Sequence, residues 1–455
     1  MLRRHFLGAI AASTVALRAK SALPNVIMIY CDDLGYGDVG CYGSKIPTPN
    51  IDKMAAEGIR FTHFYSASPV CTPSRASLLT GRYAVRTGMP SVIGPGDQSG
   101  LPSTETNIAQ VMKKTGYRTM CIGKWHLGDA ARHLPTNKGF DEYYGIPYSN
   151  DMLPRPLLHN NEVIEQPAQL DTLTPRYTAQ AIRFITAGSD KPFFLYLPHT
   201  YPHIPLGASP KFRGKSGFGL YGDVVMELDW SVGEILRTLK ENGLDDSTLV
   251  MFSSDNGPWF QGTAGALRGR KGDTFEGGMR VPFIARMPGR IPAGQVSTAF
   301  ASTLDILPTV ANLTGSRLPS NPLDGIDIWP IFSGSTAPLT REVFLYFNFW
   351  DIQCARMGNW KLHVSRHNVA AYSPSPAAGL MNLPLRNPEL YDLATDPEEG
   401  YDRAGDYPEV VAAIRAQIEG LLPSFPAEVR GSWVGTQARH VYSTPAGALP
   451  ELTPD

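Results

Sequence analysis

An α/β sandwich around a large mixed, mostly parallel sheet, with a smaller C-terminal antiparallel-sheet subdomain, is the fold class this 455-residue chain predicts. Three observations predict it. Short apolar runs rich in β-branched residues alternate with longer helical stretches, the pattern of strands covered by helices on both faces. Polar clusters follow directly on four of those runs, where open α/β sheets place their ligands. Beyond about residue 335 the texture changes to short strand-like pieces broken by Pro, Gly and Asn.

The elements follow in order. Residues 1–22 carry Arg3 and Arg4, an apolar run from Phe6 to Leu17, then Arg18, Lys20 and small residues. That run is too short for an ordinary membrane helix and has the layout of an export signal, with an uncleaved N-terminal anchor as the alternative. Arg-Arg-His-Phe-Leu is similar to a twin-arginine signal, so a periplasmic or secreted location is expected. No later segment approaches the roughly 18 apolar residues of a membrane span. Residues 25–30 read as a strand ending in Cys31-Asp32-Asp33. A helix starts at Cys71, because Pro73 suits a first turn and nothing breaks the run before Gly81. A helix over 107–115 closes at Gly116, and a strand over 119–122 leads to Lys124 and His126.

Residues 147–175 are proline-rich and read as a long surface loop, either a pocket wall or a plain connection. A strand over 193–197 precedes His199 and His203. Residues 223–241 form a helix whose apolar face is Val225, Leu228, Val232, Ile235, Leu236 and Leu239. A strand over 248–253 runs into Asp255-Asn256. A loop-like stretch over 319–339 joins the main α/β unit, 23–335, to an α+β subdomain over 336–455. In the latter, strands are expected at 343–347, 360–364 and 390–393, with a second proline-rich loop at 374–388 and a loose tail from 442.

Composition excludes some functions. The formal net charge is −1 with no basic run, which gives nucleic acid no track. Cys31, Cys41, Cys71, Cys121 and Cys354 are too few for a disulfide framework, and no Cys-x-x-Cys pair suggests zinc. Their spacing leaves open whether any two pair.

Two constellations carry chemistry. Cys71 at a helix N-terminus, with Arg75 one turn on, sits where free N–H groups and the helix dipole favour an anion. Asp32, Asp33, Asp255 and Asn256 offer mainly oxygen ligands, a set that suits Ca²⁺ first and Mg²⁺ second. Taken singly, Asp-Asp after a strand is also a common helix cap, and Asp-Asn-Gly a common tight turn.

Residues 71–82, Cys-Thr-Pro-Ser-Arg-Ala-Ser-Leu-Leu-Thr-Gly-Arg, resemble the signature of type I, formylglycine-dependent sulfatases. Further blocks match that family in order: Asp-Asp-Leu-Gly-Tyr-Gly-Asp from 32, Thr-Pro-Asn-Ile-Asp at 48–52, Gly-Lys-Trp-His-Leu-Gly at 123–128, Ser-Asp-Asn-Gly at 254–257, and Arg-Gly-Arg-Lys-Gly-Asp-Thr-Phe-Glu-Gly-Gly at 268–278. Ile-Pro-Tyr-Ser at 146–149 and Glu-Leu-Tyr-Asp-Leu at 389–393 are similar to the arylsulfatase A-like branch. Asn150 stands where that branch has a histidine.

The resemblance implies an alkaline-phosphatase-like fold and a hydrolase of aryl or carbohydrate sulfates. It implies that a formylglycine-generating enzyme oxidises Cys71, and that the hydrated aldehyde, held on Ca²⁺ by Asp32, Asp33, Asp255 and Asn256, attacks sulfur to give a sulfated enzyme. His126 would then take the proton of the second hydroxyl so that sulfate is expelled. Lys124 and Lys271 would bind sulfate oxygens and Arg75 the diol. His203, with His199 as competitor, would protonate the leaving oxygen, and Arg82 would close the helix end. The expected partner is a sulfated small molecule or glycan. The rival readings are a phosphodiester or phosphonate monoester hydrolase of the same superfamily, and an inactive binding or scaffold relative in which Cys71 stays a thiol.

Overall fold

Along Asn25–Cys31, the first strand (β1), side chains divide by parity: Val26, Met28 and Tyr30 enter one apolar core, Ile27, Ile29 and Cys31 another. A period of two with both faces buried places the strand inside a sheet sandwiched by helices. The computed structural model describes residues 23–339, 341–367 and 382–441, the last four without their side chains. The expected export signal at 1–22, residues 374–381 of the second proline-rich stretch and the tail from 442 lie outside the described residues.

The strands that follow are β2 (Ile59–Phe61), β3 (Phe64–Tyr65), β4 (Arg118–Ile122), β5 (Glu142–Gly145), β6 (Leu157–His159), β7 (Glu162–Glu165) and β8 (Phe193–Pro198). Then come β9 (Thr248–Ser254), β10 (Phe283–Arg286), β11 (Gln295–Ser297), β12 (Ala301–Ser302), β13 (Phe344–Asn348), β14 (Asp351–Met357), β15 (Trp360–His367) and β16 (Asn382–Asp392). Ten of them form one sheet in the order β11-β2-β10-β9-β1-β8-β4-β5-β6-β7. Its centre, β9-β1-β8-β4-β5, is parallel, and antiparallel pairs flank it on both sides. This is the alkaline-phosphatase-like arrangement expected.

Helices Cys71–Thr80, Ile108–Lys114 and Ile306–Leu313 cover one face through Leu78, Leu79, Met112 and Leu307. Helices Pro49–Ala56, Leu173–Thr186 and Gly219–Glu241 cover the other through Met54, Tyr177, Leu228, Val232 and Ile235. Local chemistry fixes their ends. Asn107 and Gln110 bond reciprocally in a capping box, and Gly81 ends the Cys71 helix at φ 68°. The antiparallel sheet β13-β14-β15-β16 packs in a third core with helices Pro408–Leu421 and Ala427–Val441, through Ile414, Ile418 and Val429, and with Tyr65, Tyr83, Met279 and Leu304 of the main unit.

Some expectations need correction. Residues 147–175 are not one loop: they hold the β6–β7 hairpin, a turn at Leu170–Thr172 and the start of a helix whose first turn accepts Pro175. Residues 382–388 are strand, because β16 pairs only with β15 and an edge strand tolerates Pro384 and Pro388. The long helix begins at Gly219 rather than 223, and 319–339 contains a short helix at Trp329–Phe332.

Candidate active site

The carboxyl ends of the central parallel strands converge. Asp32 and Asp33 follow β1, Lys124 and His126 follow β4, His203 follows β8, and Asp255 and Asn256 follow β9. Cys71 and Arg75 come from the first two turns of their helix, and Lys271 from the loop before Glu276–Met279. Gly123 makes the β4 turn possible, since at φ 124° a Cβ there would lie 1.9 Å from the Pro198 carbonyl oxygen. Lys124 N–H donates to that same oxygen at 2.8 Å, so β4 and β8 end in contact. Asp33 and His126 both sit in the left-handed region, at φ 65° and 58°, a strain concentrated at the cluster.

Charges interleave. Lys124 Nζ donates to Asp32 Oδ2 at 2.6 Å and to Ser149 Oγ at 3.0 Å. Arg75 donates to Asp255 Oδ2 at 2.7 Å and to the Lys124 carbonyl at 2.9 Å, and lies 3.5 Å from Asp32 Oδ1. Lys271 Nζ reaches Asp33 at 2.8 Å. Cys71 Sγ is 3.5 Å from Asp32 Oδ1, and His203 Nε2 is 3.7 Å from Asp33 Oδ2. Burial opposes the charge on Asp32, but Lys124, His203, Arg75 and Lys271 outweigh it and hold that carboxyl well below the usual range. Asp255 is pushed up to about 7 by burial and then by Asp32, against Arg75. The carboxylates are therefore not left to repel one another; three side-chain cations separate them.

The donor set nonetheless fits a metal ion. Asp32, Asp33, Cys71 and His203 each bring a ligating atom, all within 4.8 Å of one another. Asn256 Nδ2 donates to Asp33 Oδ1 and to the Gly257 carbonyl, while its Oδ1 is buried without a hydrogen-bond partner. An orphaned buried amide oxygen beside carboxylates suits a hard cation. Asp255 stands slightly apart, its oxygens taken by Arg75 and by the Asp33 N–H at 3.1 Å.

The histidines differ sharply. His126 Nε2 lies 2.9 Å from the Ile93 carbonyl, which can only accept, so Nε2 carries the proton and Nδ1, buried and unpartnered, is a lone pair. Burial, then Lys124 and Arg75, keep this ring neutral. His203 donates Nδ1–H to the Ile204 carbonyl and turns Nε2 toward Asp33 and Ser149. His199 points elsewhere, to Ser231 Oγ at 3.4 Å, and burial lowers it to about 3. Arg82 bonds the Pro322 carbonyl and pairs with Glu105 away from the cluster.

A cavity of about 300 Å³ opens over the cluster, lined by Cys71, His126, Ser149, His203 and Lys271 and rimmed by Val92, Met152, Phe349 and His367. Arg75 and Lys124 lie behind this lining, fully buried, so Arg75 reaches the acidic residues rather than the opening. The sequence pattern missed Ser149, which touches both Lys124 and His203; its only signal was the Ile-Pro-Tyr-Ser block. Asn150 is fully buried and donates to the His203 and Pro205 carbonyls at 3.1 and 2.9 Å, holding the His203 loop instead of facing the cavity. The rim residues Met152 and Phe349 carried no signal at all. Among the described residues all cysteines are free, and no helix is long and apolar enough to cross a membrane.

Residues 24–316 match the family model described as Sulfatase. The chain is 39% identical to human (Homo sapiens) arylsulfatase A over 93% of its own length and 94% of that protein. It is similar to the PsFucS1 sulfatase from Pseudoalteromonas sp. at 31% identity and TM-score 0.79, covering 90% of this chain and 92% of that one. It is also similar to Ps i-CgsB, solved in complex with k-i-k-neocarrahexaose, at 30% identity and TM-score 0.76, covering 93% and 100%.

Proposed function

This chain belongs to the sulfatase family and hydrolyses sulfate esters, and we propose that it does so through Cys71 oxidised to formylglycine, beside a Ca²⁺ ion held by Asp32, Asp33, Asp255 and Asn256. The observation that carries the reading is His126: a neutral imidazole with a free, buried Nδ1, sharing one cavity wall with Cys71. As a thiol, Cys71 is ill suited to attack, because burial pushes it up to about 12 against the pull of Lys124 and Lys271. As a hydrated aldehyde it offers two hydroxyls that act in turn. A divalent cation, when held by these acidic oxygens and the Asn256 amide oxygen, would supply positive charge that makes the attacking hydroxyl more acidic and offsets charge on the sulfuryl group.

The side chains divide the work. Lys271, on the cavity wall, is placed to bind the sulfuryl oxygens. Lys124, the second sulfate-binding lysine of the family pattern, adds its charge from just behind the wall through Ser149, its buried position strengthening that charge. Arg75 pairs with Asp255, favours the charge on Asp32 beside Lys124, and fixes the Lys124 backbone. His203, held by its Nδ1–H, presents Nε2 to the ester oxygen. Burial and Lys271 favour its neutral form, so Nε2 must first take up a proton, which Asp33 and Asp32 favour, before the imidazolium protonates that oxygen as its bond to sulfur breaks. His126 Nδ1 then accepts the proton of the remaining hydroxyl, the carbon–oxygen bond to sulfate breaks, and the aldehyde is restored. The substrate is an aryl or carbohydrate sulfate. The paired arginines and apolar run of 1–22 support export, by the twin-arginine route, to the periplasm or beyond.

Protein produced with a formylglycine-generating enzyme should be about 18 Da lighter than the cysteine form at the peptide containing residue 71. It should turn over p-nitrophenyl sulfate faster than bis-p-nitrophenyl phosphate, lose that activity to a chelator, and regain it better with Ca²⁺ than with Mg²⁺. An unshifted mass in active protein, or a phosphate preference of about 100-fold, overturns the reading.

A further inference from the structure

The loop that delivers Lys271 is fastened from below by the small sheet. Glu399, fully buried and in the left-handed region at φ 55°, is the hub. Its Oε2 accepts from the Glu276 N–H at 2.6 Å, and its Oε1 accepts from Lys361 at 2.9 Å and from His363 Nε2 at 2.6 Å. Lys361 also donates to Glu276 Oε1 at 3.0 Å, and Arg268 donates to the Glu399 carbonyl at 2.9 Å. Thr274 bonds Gln353 at 3.0 Å, and Asn348 donates to the Gly272 carbonyl at 2.9 Å, one residue beyond Lys271. Both ends and the middle of the 268–276 segment are thus tied to β13–β15 or to the turn carrying Glu399. A network this buried is costly to build for stability alone, and a strained hub persists only where its surroundings over-determine it.

We infer that the Glu399–Lys361–Glu276 network is a latch that positions Lys271 for the sulfate. The C-terminal sheet is then part of the active site twice over, through its rim residues Phe349 and His367 and, without touching substrate, through this network. The inference rests on Lys271 binding the sulfate, as proposed above, but its loop-ordering half does not. Glu399→Gln keeps the shape and removes the charge. In the full-length, formylglycine-bearing enzyme it should raise KM for p-nitrophenyl sulfate and Ki for inorganic sulfate by about tenfold, with kcat within about threefold. Amide hydrogen exchange over 268–278 should rise at the same time.

Destabilisation alone would lower the active fraction and the melting temperature without moving KM or Ki. That result, or unchanged exchange over 268–278, overturns the latch. Faster exchange with an unchanged Ki keeps the latch and instead overturns the assignment of Lys271 to sulfate. Should Glu399→Gln fail to fold, Arg268→Lys removes the fork that reaches the Glu399 carbonyl while keeping a cation near Phe275, and should show the same pattern at about two- to threefold.

Discussion

Two buried charge clusters lie within one molecule and are built to opposite standards. Under the small sheet, Glu276, Glu399, Lys361 and His363 each find charged or hydrogen-bonding partners, and none of their polar atoms is left over. At the carboxyl ends of the parallel strands, equally buried groups leave Asn256 Oδ1, His126 Nδ1 and Arg75 Nε without partners, and a cavity opens beside them. Complete satisfaction marks a scaffold, whereas selective incompleteness marks a place kept ready for something else to bind or move. Burial and charge alone would not tell the two apart.

The contrast can be broken first at its sharpest point. His126→Ala should cut turnover of p-nitrophenyl sulfate by about 10²- to 10⁴-fold and leave a sulfuryl group on the enzyme, visible by intact mass. Loss of activity without a trapped sulfated enzyme would remove His126 from the release step. Smaller and more discriminating is the histidine pair after β8. His203→Ala should lower kcat/KM by about 10²-fold, most for substrates with poor leaving groups, whereas His199→Phe should shift only the melting temperature.

The satisfied cluster should respond through stability as well as through the Lys271 loop. Burial opposes the charge on His363, but Cys354 and Glu399 win and push it up to about 9 from 6.5; Glu399 is lowered to about 2 from 4.5, against burial, by Lys361 and His363. The raised histidine stabilises fully below about 6.5, and its contribution is lost as pH climbs through 9. The depressed glutamate stabilises fully above about 4.5, and its contribution is lost as pH falls toward 2. Melting temperature should therefore plateau between about pH 5 and 6.5 and fall on both sides. His363→Gln should flatten the alkaline limb and only shallow the acid one, which Lys361 still sustains. An unchanged alkaline limb would show that His363 is neutral in the fold.

How legible these regions were in the sequence follows from their chemistry. The strand runs at 25–30, 193–197 and 248–253 were readable because burial on both faces demands continuous apolar residues, and the polar residues that end them were readable as ligands. The helix from Cys71 was readable from Pro73 and Gly81. The latch was not: Lys361 and His363 alternate with apolar residues along β15, an inner strand of the small sheet, as ordinary polar residues do, and nothing local says that Glu399 meets them. The β6–β7 hairpin and the strand holding Pro384 and Pro388 were hidden because proline reads as a breaker unless the edge is known. Choosing His203 over His199 required knowing which side of β8 each residue leaves from, and the two lie too close in sequence for spacing to decide.

The full burial of the Lys124–Asp32 pair has a consequence for the medium in which the protein can work. Dissolved salt weakens attraction between charges only where its ions can crowd around them, and over about 8 Å at physiological ionic strength. Ions cannot crowd around this pair, so its own attraction should hold nearly as firmly in brine as in fresh water, while any surface charge that guides an anion to the cavity loses its reach.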